Sequence, residues 1–240
     1  MFYLGGKATI GEDISRAIRA HSRKRAVLVE PFLGGGNSYK FLAPFFQEVR
    51  IGDIHADLIL MWKAVAAGWV PPHSVIEAQY RQLRHAEPSA LRGFVGFGCS
   101  FGAKWFGGYA RTTKGSTDAS HYTRKAAQDV ASLARYLPPN KLGTLAKRSY
   151  DEYHVDRNCV VYADPPYRGT TEYSREFGHA AFWQCMERYA KAGADVFVSE
   201  YNAPEEWEPI WAGSKGISIN RGLGNGARVQ EKLFTYKGER

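Results

Sequence analysis

Cysteine is scarce in this chain: Cys99, Cys159 and Cys185 are odd in number and widely spaced. That excludes a disulfide framework and a CxxC zinc site, so they read as reduced thiols and no metal is expected. No apolar run approaches the length that crosses a bilayer, which leaves no membrane-spanning segment to expect. No basic stretch followed by an apolar one opens the chain as a secretory signal would, so a cytoplasmic setting is expected. Internal repeats and low-complexity tracts are missing too, as are the GxGxxG fingerprint and the P-loop: Asn37-Ser38 follows Gly34-Gly35-Gly36 where a phosphate cradle needs Lys and Ser or Thr.

What is present is the composition of an ordinary globular protein, 44% hydrophobic and 23% charged over 240 residues. That length suits one α/β domain carrying a modest insertion rather than two independent domains. The net charge of +8 is unevenly spread. Residues 68–150 hold twelve basic against four acidic side chains, whereas residues 151–240 are net acidic. A basic middle fits either a solvated surface or contact with a polyanion.

Ala26 to Pro31 is a short apolar run closed by Pro and glycines, the signature of a buried parallel strand entering a turn. Residues 38–46 can form a helix, and Val49 to Asp53 reads as a second strand ending on a carboxylate. Residues 57–67 have helical spacing, and Gly68-Trp69-Val70-Pro71-Pro72 ends that segment at a subdomain boundary. Beyond the basic middle, residues 142–145, 159–163 and 194–199 read as strands, with a helix over 180–192. Strands alternating with helices predict an α/β fold with a mostly parallel sheet and ligands at the carboxyl ends of its strands.

Two features carry chemistry. Gly34 and Gly36 follow the first strand, where backbone can approach a ligand closely, and Asp53 lies about twenty residues on, where an acidic side chain bonds ribose hydroxyls. The glycines alone fit a plain strand-to-helix turn equally well. Without a phosphate-binding pattern, the pair suits an adenosyl group lacking pyrophosphate. The second feature, Asp164-Pro165-Pro166-Tyr167, ends the strand 159–163. Its prolines leave carbonyls with no competing N–H, Asp164 adds an acceptor for an amino group, and Tyr167 offers a π-face to a base.

Tyr3-Leu4-Gly5-Gly6-Lys7, Glu30-Pro31-Phe32-Leu33-Gly34-Gly35-Gly36, Gly52-Asp53-Ile54 and Tyr162 to Tyr167, in that order, resemble the Dam-like, D12-class DNA adenine N6-methyltransferases. Residues 98–111 further resemble the phage and prophage branch. The resemblance implies a Rossmann-like fold with helices on both faces of the sheet, binding S-adenosylmethionine through residues 1–67 and 143–240. A small target-recognition insertion would occupy residues 68–142. It assigns Tyr3, Gly6, Lys7, Phe32, Gly34, Gly36, Asp53, Ile54, Tyr150 and Asp164 to the cofactor, and Asp164, Pro165, Pro166 and Tyr167 to catalysis on a flipped adenine in double-stranded DNA. Tyr3 stands where the family often has Trp, and so short an insertion argues against a large separate recognition domain.

Within the insertion, residues 91–125 interleave basic and aromatic side chains, the pattern of a surface that follows phosphates and props open a base stack. Lys104, Arg111, Lys114, Arg124 and Lys125, with Trp105 and Tyr109, are the residues expected at DNA. The glycines of this stretch predict loops or a hairpin rather than a long regular helix. Rival readings are cytosine N4 methylation, where Ser usually replaces the leading Asp, methylation of RNA or of a protein amide, and a non-catalytic DNA-binding relative.

Overall fold

The computed structural model describes residues 6–24, 26–111, 120–137, 142–167, 177–215 and 229–238. Its sheet has the order β3-β2-β1-β4-β5-β7-β6, built from Val27–Glu30 (β1), Glu48–Asp53 (β2), Leu142–Lys147 (β3), Cys159–Ala163 (β4), Asp195–Glu200 (β5), Trp207–Lys215 (β6) and Val229–Tyr236 (β7). The first five strands run parallel, and β7 inserts antiparallel between β5 and β6. Every residue of β1, β4 and β5 is buried, as their continuous apolar runs require when both faces of a parallel sheet are covered.

Alternation along the strands divides the core in two. Leu28, Val49, Ile51, Val160, Tyr162 and Phe197 point into one layer, and Val29, Val161, Ala163, Val196 and Val198 into the other. The first layer is covered by Gly11–His21 (α1), Tyr39–Leu42 (α2), Ala56–Ala66 (α3), Ala90–Gly98 (α5) and Ser120–Ala134 (α6). The second is covered by His179–Lys191 (α7). This is the Rossmann-like arrangement expected, with helices on both faces. The chain leaves β1 and β4 in opposite directions along the sheet, so a crevice opens between their carboxyl ends, where open α/β sheets bind ligands.

Two expectations are corrected. The helix predicted over residues 38–46 is a single turn, Tyr39–Leu42, followed by a 3₁₀ turn with Pro44 inside it, because proline supplies no amide to continue the ladder. The loop predicted over the glycine-rich stretch begins instead as α5, which starts where the Ser89 hydroxyl accepts the Arg92 amide at 3.1 Å. Its glycines serve packing: a Cβ on Gly93 would lie 2.3 Å from the Asp57 carbonyl oxygen on α3, and one on Gly96 would lie 2.2 Å from the Trp105 ring. Helix propensity yields here to close approach of two backbones. Beyond α5 the expected hairpin is present in miniature, with Ser100 and Tyr109 forming an antiparallel bridge.

Glu77–Arg84 (α4) lies with α5 and α6 inside residues 68–142. Arg92 fastens this region to α3, donating to Asp57 at 2.7 Å, and ties α5 to α4 by donating to the Leu83 carbonyl at 3.0 Å. Among the described residues no helix is long and apolar enough to cross a membrane.

Candidate active site

The turn after β1 folds tightly. Gly34 and Gly36 have φ of 48° and 69°, a left-handed backbone that glycine adopts without a Cβ penalty. The Trp62 indole donates to the Gly34 carbonyl at 3.0 Å, and the Gly34 amide donates to Asp53 Oδ2 at 2.9 Å. Asp53 Oδ1 accepts the His55 amide at 2.9 Å. The carboxylate at the end of β2 thus ties the glycine turn to its own strand end. Burial outweighs these bonds and raises the Asp53 pKa to about 6. Beside it Ile54 is 63% exposed, an apolar side chain open to solvent at the rim of the crevice.

Phe32 stacks on Tyr150 with centroids 5.8 Å apart, and both meet Phe177 and Phe182. These aromatics form the wall of the crevice on the α7 side. Glu30, the last residue of β1, is fully buried: one oxygen accepts the Ser38 hydroxyl and the other has no partner among the described residues. Burial pushes its pKa up to about 8.

Across the crevice, Lys7 is 1% exposed and its Nζ lies 2.6 Å from both oxygens of Asp164. It is also 3.2 Å from Glu231 Oε1 and 4.9 Å from the centre of the Tyr167 ring. Burial alone would lower the lysine pKa, but Asp164 and Glu231 more than offset it and hold the ammonium above its ordinary value. The Tyr167 hydroxyl donates to Glu231 Oε1 at 2.8 Å, while the Tyr201 ring abuts Tyr167 edge-on at 4.7 Å. Burial, reinforced by Asp164 and Glu231, keeps the Tyr167 phenol protonated. Pro165 is buried and Pro166 half-buried directly beyond β4.

Lys7, Asp164 and Tyr167 therefore come together on one side of the crevice, and Gly34, Gly36, Asp53 and Ile54 line the turn and strand end at its floor and rim. Gly6, described and half-buried, adjoins Lys7. Tyr3 lies outside the described residues. Glu231 and Glu30 were not among the residues expected at the site. Glu30 had a signal, a carboxylate ending an otherwise apolar strand. Glu231 had none, because only the β7 register carries it to the carboxyl end of β5.

In the insertion, Trp105 packs on His55 at 4.3 Å and on Phe97 and Phe106. The Tyr109 hydroxyl donates to the Val75 carbonyl at 2.6 Å. Both rings pack against the core layer that α5 and α6 share with the sheet, while Phe101, 66% exposed, and Tyr122 are the open aromatics of this stretch. Arg111 pairs with Glu77 at 2.5 Å, Lys125 pairs with Asp129, and Arg124 is exposed on α6. Lys104 is half-buried beside Trp105, and Lys114 lies outside the described residues. No group of His, Cys, Asp and Glu suited to a metal ion occurs among the described residues.

A mostly parallel sheet in this order, with a glycine turn after β1 and a carboxylate ending β2, is a Rossmann-like fold with its ligand crevice at the carboxyl ends of the strands. Residues 3–91 match the family described as D12 class N6 adenine-specific DNA methyltransferase, bearing out the resemblance read from the motifs. The match covers the Lys7, Gly34–Gly36 and Asp53 motifs and ends within α5. No curated protein matches the chain. Solved structures similar to it at low identity include the following three. An rRNA methylase from Streptococcus thermophilus is 8% identical, with a TM-score of 0.42 over 95% of each chain. The putative methyltransferase yhhF from Escherichia coli is 11% identical, with a TM-score of 0.41 over 95% of this chain and 87% of that one. A putative methylase from Haemophilus influenzae is 10% identical, with a TM-score of 0.41 over 96% and 90%.

Proposed function

We propose that the chain is a site-specific DNA adenine N6-methyltransferase acting on a base flipped out of duplex DNA. The observation that carries this reading is the convergence of Lys7, Asp164 and Tyr167 at the carboxyl end of β4, across the crevice from Asp53. The D12-class match over residues 3–91 supports adenine and DNA as the target.

The residues present fit S-adenosylmethionine. Asp53 keeps lone pairs for ribose hydroxyls, exposed Ile54 offers an apolar surface for an adenine ring, and the glycine turn lets backbone come close. Lys7 and the Gly6 backbone would hold the methionine end, and Phe32 and Tyr150 would wall the pocket. The bound cofactor supplies an electrophilic methyl group on a positively charged sulfur.

Toward the base, Asp164 and the Pro165 carbonyl accept hydrogen bonds from the exocyclic amino group, turning its lone pair toward the methyl donor, and Tyr167 stacks on the ring. Flipping the base costs a few kcal/mol of stacking, which interactions within this pocket offset. The amino nitrogen sheds its proton after transfer, so Asp164 orients the amine and is not required as a strong base. Residues 1–67 and 143–240 form the catalytic unit in this reading, and residues 68–142 carry target recognition through Lys104, Arg111, Lys114, Arg124 and Lys125.

The test supplies labelled S-adenosylmethionine with duplex DNA, RNA and protein acceptors in parallel. N6-methyladenine in the duplex is the expected product. Label confined to RNA, protein or cytosine overturns the assignment.

A further inference from the structure

Asp164 cannot present a free carboxylate to a base while both of its oxygens lie 2.6 Å from the Lys7 ammonium. The same ammonium has a second carboxylate at 3.2 Å, Glu231, which is 1% exposed and lies one step beyond the Glu200↔Lys232 pair of the β5–β7 ladder. Glu231 also accepts the Tyr167 hydroxyl at 2.8 Å. One buried anion from the antiparallel strand therefore touches both the lysine that competes for Asp164 and the ring expected under the base.

We propose that Glu231 is a positioning residue for the target base. It retains Lys7 when Asp164 turns to the amino group, and it fixes the plane of Tyr167 through the phenol hydroxyl. The physical reason is charge compensation: a buried ammonium leaves one carboxylate readily only if another remains beside it. Tyr201, edge-on to the Tyr167 ring at 4.7 Å, packs against it as well. No bond is made or broken by Glu231. The inference rests on the adenine-methyltransferase reading and names a further residue in the same site.

The decisive substitution is E231Q, which keeps the size of the side chain and an acceptor for Tyr167 but removes the charge. Steady-state methylation of a duplex that the wild type modifies is measured for wild type, E231Q, Y167F and the double variant, with calorimetric S-adenosylmethionine affinity and melting temperature alongside. The expected result is a fall in kcat of about tenfold to a hundredfold for E231Q, as for a misplaced reacting group. S-adenosylmethionine affinity should stay within about threefold, and the double variant should be no worse than the poorer single one, since the two residues act through each other. A kcat for E231Q within about twofold of wild type overturns the proposal, as do independent, multiplying effects in the double variant. So does a loss of cofactor affinity that accounts for the fall. If E231Q does not fold, Y167F alone decides: unchanged kcat without the hydroxyl overturns the anchoring role. A wild type that modifies no duplex refutes the functional reading itself, whereas an active wild type with an equally active E231Q refutes only the role of Glu231.

Discussion

Asp53 Oδ2 accepts the Gly34 amide at 2.9 Å, so the carboxylate at the end of β2 holds the glycine turn at the end of β1. Replacing Asp53 with Ala removes the acceptor for two backbone amides and, in the proposed site, for the ribose. S-adenosylmethionine affinity should weaken by about 1–3 kcal/mol, read by calorimetry. Unchanged affinity would remove Asp53 from the cofactor site.

The same carboxyl group gives a pH dependence. Burial raises its pKa to about 6, so it is neutral below that value and charged above it. A ribose hydroxyl donates more strongly to the charged form. Cofactor affinity should therefore fall as pH drops through about 6, and Asp53→Asn should abolish this titration. A wild-type affinity flat from pH 5 to pH 8 contradicts the assignment.

Glu30 affects stability with the opposite practical consequence. Its pKa rises from 4.5 unfolded to about 8 folded, so the folded chain binds the extra proton throughout that window. Linkage then makes its contribution fall as pH rises, by up to about 1.4 kcal/mol per unit between the two values. Glu30→Gln, neutral in both states, should gain stability over the wild type from pH 5 to pH 8 in denaturant titrations. An equal pH dependence in both proteins would show that Glu30 ionises freely.

Asp164→Ala should lower kcat by about 10²–10³ or more, the loss expected for one group that acts on the reacting centre. Affinity for duplex DNA should stay within a few-fold, because phosphate contacts elsewhere supply most of it. Substantial turnover in the variant would take the orienting role from Asp164.

Gly93→Ala tests the packing of α5. An exposed helical glycine replaced by alanine gains about 1 kcal/mol from propensity, but here the new methyl would lie 2.3 Å from the Asp57 carbonyl oxygen. Overpacking against backbone costs about 1–3 kcal/mol, so the clash wins and melting temperature falls. For the recognition surface, replacing Lys104, Arg111 and Lys114 together should reduce the slope of log affinity against log salt by about 0.9 for each phosphate that is no longer neutralised. A triple variant with wild-type slope would place the DNA surface elsewhere.

Strands β1, β4 and β5 were legible because each is largely apolar and ends at a proline or a carboxylate, and the endings of β1, β2 and β4 were also the site. Local pattern cannot report a partner on another element. Helix α5 was hidden because its glycines lower propensity while answering to the backbone of α3. The antiparallel strands β6 and β7 carry charged residues within them and gave no clean alternation.

The amino-acid sequence by itself determined the order of motifs, the strand ends that bear Gly34, Asp53 and Asp164, and the resemblance that residues 3–91 bear out. Strand-end chemistry is local, set by a few adjacent residues. Only the tertiary structure decided that Lys7 sits between Asp164 and Glu231, that Tyr167 is held from β7, and that Trp105 faces inward. These follow from strand order and register, which bring together residues far apart in the chain, and from close backbone approach, which no single segment encodes.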